Sequence, residues 1–145
     1  MTKEEAESTL FKGLDCAQSV LYSVLDELDA DPETVQRVAT GFGSGMFAGE
    51  TCGAVAGSIM ALGLKYGTSV PVNQADKDSC IEKVEEFRRR FKKLHGTTMC
   101  RELLGADVST EEGMAKIEAE ELMPKTCPYL VADAVNILLD MFDEE

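Results

Sequence analysis

Cys52-Gly53-Ala54-Val55-Ala56-Gly57-Ser58-Ile59-Met60-Ala61-Leu62-Gly63-Leu64 is the longest run of small and apolar residues in the chain, bracketed by Glu50 and Lys65. A membrane-spanning helix needs about 20 such residues, so this run reads as a buried core helix. Thr51 supplies a capping hydroxyl and Gly67 a stop, which predicts a helix through about Tyr66. Within it Gly53 and Gly57 stand four apart and share one face, where a second backbone can approach closely. Gly63 continues the small surface less directly.

Outward from this helix the pattern stays helical. Residues 3–12 form a short amphipathic helix with Ala6, Leu10 and Phe11 apolar, ended by Gly13. Asp15 caps a second helix with a stripe of Ala17, Val20, Leu21, Val24, Leu25 and Leu28. Asp31-Pro32-Glu33 is a helix start with proline at the first position, and Val35, Val38 and Ala39 point inward. Residues 41–50 (GFGSGMFAGE) hold four glycines and predict a loop, because glycine is costly in regular elements. Pro71 and Asn73 mark a turn over 67–74. A long helix follows from about Ala75 to His95, with Cys80, Val84, Phe87, Phe91 and Leu94 on one face and Gly96 behind it. Thr97 and Thr98 start a short helix carrying Cys100, Leu103 and Leu104. Ser109 or Thr110 starts another that ends before Pro124. Thr126 caps the last, with Pro128 in its first turn. No β alternation, internal repeat or linker is evident, which predicts one all-α domain over 1–145, a compact bundle of about six to eight helices.

Composition narrows the function. The 145 residues carry 27 acidic and 14 basic side chains, a net charge of −13. Such a surface repels phosphate backbones, and without tryptophan and with few aromatics there is little to stack on bases, so nucleic acid is excluded as a partner. The N-terminal MTKEEAESTLFKG is acidic and has no apolar stretch of the kind a secretory leader needs, which predicts a soluble cytoplasmic protein with no membrane association.

Five cysteines, Cys16, Cys52, Cys80, Cys100 and Cys127, are then the main anomaly. In a reducing compartment several cysteines point to metal binding or redox chemistry rather than structural disulfides. Cys16 follows the cap Asp15, Cys52 follows Thr51, Cys127 follows Thr126, and Cys100 lies two residues after Thr98. Each is expected in the first turn of a helix, where free N–H groups and the positive dipole end favour the thiolate. Cys80 falls on the core stripe of the long helix and is expected to be a small buried hydrophobe apart from the others. The spacings contain neither the short knuckle of zinc sites nor the C-x-x-C of thioredoxin-type centres. A four-thiolate cluster, two disulfides, or a dithiol with bystanders all remain open by spacing.

With these residues in place, the chain resembles the C-GCAxxG-C-C family of redox-active proteins. Cys52-Gly53-Ala54-Val55-Ala56-Gly57 is similar to the family's central element, with the cysteine and first glycine in reverse order to the family's name. Cys16 in LDCAQSVL, Cys100 after the long helix and Cys127 in TCPYLV stand where the outer cysteines belong, and Cys80 lies outside the pattern. The resemblance implies a redox role, as oxidoreductase or electron carrier with a redox partner protein, in which Cys16, Cys52, Cys100 and Cys127 form the site or ligate an iron–sulfur cluster. Gly53 and Gly57 would bring the helices together there. A related domain occurs in a haem- and iron–sulfur-containing cytochrome, but no C-x-x-C-H haem attachment sequence is present here.

The competing reading is a non-enzymatic helical structural or interaction domain whose cysteines bind zinc or are merely buried. Other motifs carry less. His95 is the single histidine, placed where a cation suits a helix end. Arg88-Arg89-Arg90-Phe91-Lys92-Lys93 is a basic island whose charges fall on a solvated face. Gly41-Phe42-Gly43-Ser44-Gly45 lacks the strand and the Lys-Ser/Thr of a phosphate loop. In the final helix Leu130, Val131, Ala134, Ile137, Leu138 and Met141 form a stripe that Val135, Leu139 and Phe142 widen, and this width predicts a homodimer.

Overall fold

The computed structural model describes residues 1–69 and 74–144, so Pro71 and Asn73 of the expected turn lie outside the described residues. The protein is all-α. Eight helices follow in order: α1 Lys3–Phe11, α2 Cys16–Val24, α3 Pro32–Ala39, α4 Gly53–Tyr66, α5 Gln74–His95, α6 Cys100–Leu104, α7 Glu111–Ala119 and α8 Leu122–Asp143. No helix among the described residues is long and apolar enough to cross a membrane.

Helix α4 is the axis of the fold, packed against α2, α5 and α8. Its small side chains allow this. A Cβ on Gly57 would sit 2.6 Å from the Ala17 carbonyl oxygen and 2.9 Å from the Ala17 Cα, so α2 and α4 touch backbone to backbone. A Cβ on Gly53 would meet the Cys16 Cβ at 3.0 Å. The expected close approach is thus made by Gly53 and Gly57, while Gly63 faces open space. Around this contact Val20, Leu21, Val55, Leu62, Phe87, Phe91, Val131 and Leu138 are fully buried. A second, smaller apolar cluster is built from Cys100, Leu104 and Ile117, with Leu122, Met123 and Cys127 against it.

Caps work as the sequence suggests where the N-cap side chain is an Asp or Thr at a clear break. Asp15 accepts from Gln18 N–H while the Gln18 side chain accepts from Asp15 N–H, a reciprocal box that fixes the start of α2. Asp31 and Thr110 cap α3 and α7 by accepting from Thr34 N–H and Gly113 N–H, without the reciprocal bond. Two expected caps are not used. Helix α4 begins at Gly53, so Cys52 itself is the N-cap and Thr51 pairs instead with Met99 in a single antiparallel bridge. Helix α8 begins at Leu122, not after Thr126, and α7 ends at Ala119, well before Pro124. Pro124 occupies the first turn, where a missing N–H costs nothing, and Pro128 is carried inside the helix, leaving the Pro124 carbonyl without its usual donor.

Some stripe assignments also change. Phe11 is 93% exposed, Val38 61% and Leu94 60%, and Thr9 is buried on α1. Each of the three sits in the last turn of its helix beside a neighbour that takes the inward face instead: Leu10 beside Phe11, Ala39 beside Val38 and His95 beside Leu94. Cys80 is only half-buried, its thiol directed to the Leu62 carbonyl at 3.8 Å. Residues 43–49 form an irregular turn as expected, with left-handed backbone at Ser44, Met46 and Phe47. The broad apolar face of α8 is covered by the chain itself: Val135 and Phe142 are buried along with the main stripe. Leu139, on the same face, stays half-buried.

Candidate functional site

Four cysteines meet at the seam between the two apolar clusters. Cys16 and Cys52 belong to the main core, and Cys100 and Cys127 to the smaller cluster. All four line one cavity of about 510 Å³. Cys80 does not line it. None of the five is in a disulfide.

Each thiol is placed by a different device. Cys16 is the first residue of α2, set by the Asp15–Gln18 box, and its Cβ packs against the space left by Gly53. Cys52 and Cys100 are brought side by side through their backbones. Cys52 N–H donates to the Thr98 carbonyl at 2.7 Å, and Cys100 N–H donates to the Glu50 carbonyl at 2.6 Å. This two-bond clasp joins the entrances of α4 and α6. The glycine-rich turn lies against it, since a Cβ on Gly45 would sit 2.9 Å from the Cys100 Cβ, and Gly45 itself has φ of 64°. Cys127 reaches the cavity from within α8, beyond its first turn.

Burial, rather than helix position, decides the acidity of Cys52 and Cys100. The Cys52 sulfur faces the N–H groups of Ala54 and Val55, as a helix start requires, yet loss of solvent outweighs them and pushes the thiol up to about 12. Burial likewise pushes Cys100 up to about 11. The expected lowering at helix starts is therefore overturned for Cys16, Cys52 and Cys100. Cys127 alone is lowered, and its cause is the neighbouring Cys16: interaction between the two thiols favours a Cys127 thiolate and holds the proton on Cys16. Asp15, half-buried on the cavity wall with its carboxyl pushed up by burial, adds negative charge that further disfavours a Cys16 thiolate.

Thiolates suit iron–sulfur clusters and zinc by softness. Among the described residues, however, no three His, Cys, Asp or Glu side chains are grouped closely enough to hold a metal ion. As arranged, the four thiols line a common space rather than surround a single point.

The other singled-out features stay outside the site. His95 lies against the Phe91 ring at 4.7 Å, with Nε2 2.9 Å from an Asp133 carboxylate oxygen but out of line for a hydrogen bond. In the basic island Arg90 pairs with Glu86 and Glu144, and Arg89 with Glu86. What the sequence reading missed was the cavity's apolar wall, including Leu10, Leu14, Leu104, Met123 and Leu130. The signal was local: Leu14 stands two residues before Cys16, and Leu103-Leu104 directly follow the Cys100 turn.

An all-helical protein with four free thiols on one cavity has the groups that thiol chemistry uses in one place. The family model described as "Putative redox-active protein (C_GCAxxG_C_C)" matches residues 14–141, and the chain belongs to this family. No curated protein and no solved structure matches it.

Proposed function

We propose that the protein is a thiol–disulfide redox protein whose working pair is Cys16 and Cys127, with Cys52 and Cys100 as neighbouring thiols on the same cavity. One observation carries this reading: Cys16 at the start of α2 and Cys127 on α8 line the same cavity and are near enough to shift each other's acidity, Cys16 up and Cys127 down. A thiolate is the attacking species in disulfide exchange, and a neighbouring thiol is what resolves the mixed disulfide. Cys127 is thus the nucleophile and Cys16 the resolving thiol. Closing the bond ties α2 to α8 and removes two electrons and one proton from the thiolate–thiol pair.

The test is stepwise oxidation of the reduced protein followed by mass-spectrometric mapping of the first disulfide. A Cys16–Cys127 bond that forms first, and is lost in Cys16→Ser and Cys127→Ser, supports the proposal. A first bond elsewhere overturns it. So does protein purified without oxygen that absorbs in the visible and carries stoichiometric iron, since the thiols would then be ligands.

A further inference from the structure

Resting on the redox reading of the Cys16–Cys127 pair, we propose that the cavity selects a small, uncharged, apolar disulfide as the electron acceptor of that pair. Three observations carry the choice. The cavity measures about 510 Å³, within the range that encloses a small organic molecule. Its wall away from the sulfurs is hydrocarbon, supplied by Leu10, Leu14, Leu104, Met123, Pro124 and Leu130. Its charged lining residues are both acidic: Asp15 and Glu7, with no Lys, Arg or His among the residues that line it. Glu7 is held in an ion pair with Lys3 at 3.3 Å, and Asp15 spends its carboxylate on the Gln18 N–H. Neither offers a partner to a second anion.

A carboxylate-bearing disulfide entering this space gives up its hydration with no counter-charge to replace it, on a chain of net charge −13. An uncharged aromatic or aliphatic disulfide loses little water of that kind and gains the apolar wall. Bulk is limited as well, because the space is bounded by helices α1, α2, α6 and α8 and by the turn at Ser44.

The exchange balances without any further reagent. The Cys127 thiolate attacks one sulfur of R–S–S–R, forming Cys127–S–S–R and expelling RS⁻. The Cys16 thiol gives its proton to that RS⁻, producing RSH. The Cys16 thiolate then attacks the Cys127 sulfur, closing the Cys16–Cys127 bond and releasing a second RS⁻. Two electrons pass from the pair to the substrate, which leaves as one thiol and one thiolate.

Stopped-flow oxidation of the reduced full-length protein by two chromogenic aromatic disulfides tests this. One is uncharged 4,4′-dithiodipyridine and the other is dianionic 5,5′-dithiobis(2-nitrobenzoate). The ratio of the two rate constants is compared with the same ratio for reduced dithiothreitol, and the product bond is mapped. The expected result is a neutral-to-dianionic ratio at least tenfold above that of dithiothreitol, with Cys16–Cys127 as product. Leu14→Trp, which fills the cavity away from the sulfurs, is expected to slow the neutral reagent at least fivefold with an unchanged circular dichroism spectrum. A ratio equal to that of dithiothreitol, with the Cys16–Cys127 bond still formed, overturns the substrate class and leaves the redox pair standing. Absence of that bond with either reagent overturns the redox pair itself. Should Leu14→Trp fail to fold, the wild-type ratio decides alone.

Discussion

Gly57 and Gly63 lie on the same helix, α4, and the same substitution is expected to act on them with opposite sign. A Cβ on Gly57 would stand 2.6, 2.9 and 3.1 Å from the carbonyl oxygen, Cα and carbonyl carbon of Ala17. These are backbone atoms, which cannot rotate away, so α2 must shift as a body. Overpacking a close core contact costs about 1–3 kcal/mol, and a backbone-on-backbone clash belongs at the upper end. Removing a helical glycine returns about 1 kcal/mol through helix propensity. Gly57→Ala is therefore expected to destabilise by about 2 kcal/mol. Gly63 is exposed, with no atom within 4 Å of a built Cβ, so Gly63→Ala keeps only the propensity gain, about 0.5–1 kcal/mol. The two variants should differ by about 3 kcal/mol in urea denaturation, or about 9–12 °C in Tm for a chain of this size. Because Cys16 begins the helix that moves, Gly57→Ala should also slow formation of the Cys16–Cys127 bond, while Gly63→Ala should not. Equal stability of the two variants would refute the claim that glycine is needed for contact between α2 and α4.

Other outcomes follow from the same structure. The rate of Cys127 alkylation by iodoacetamide should titrate below the ordinary thiol value, and Cys16→Ser should move the midpoint, because the neighbouring Cys16 is the main cause of the lowering. An unchanged midpoint would separate the two residues. Cys52, pushed up to about 12 from an ordinary value of 9.0, keeps its proton in the folded chain after the unfolded chain has released it. Stability is therefore fully present below pH 9 and falls as pH rises toward 12; urea midpoints should decline less steeply for Cys52→Ala over that window. Asp31→Ala removes the oxygen that accepts from Thr34 N–H at 2.9 Å and should cost about 1 kcal/mol by thermal denaturation.

What the sequence by itself determined was periodic and local. The apolar spacing of Val20, Leu21 and Val24, of Phe87 and Phe91, and of Leu130 to Met141 marks faces that are buried in the structure, because a 3.6-residue repeat has one way to hide them. Asp15, Asp31 and Thr110 cap their helices because their side chains act within three residues. The order of Cys16, Cys52, Cys100 and Cys127 around the glycines was likewise sufficient for the family, and so for a redox class.

Only the tertiary structure decided how the thiols behave. A helix start favours a thiolate in isolation, but Cys52 and Cys100 are buried, and desolvation is a property of neighbours far along the chain. The start of α8 was misplaced for a related reason. Pro124 and Pro128 both suit a first turn, and packing against the rest of the bundle, not capping, carries the helix through the second of them. The pairing of Cys16 with Cys127 and the apolar cavity they share depend on the meeting of two ends of the sequence. No local spacing encodes that meeting; the contact of Gly57 with Ala17 and the docking of α8 on α2 create it.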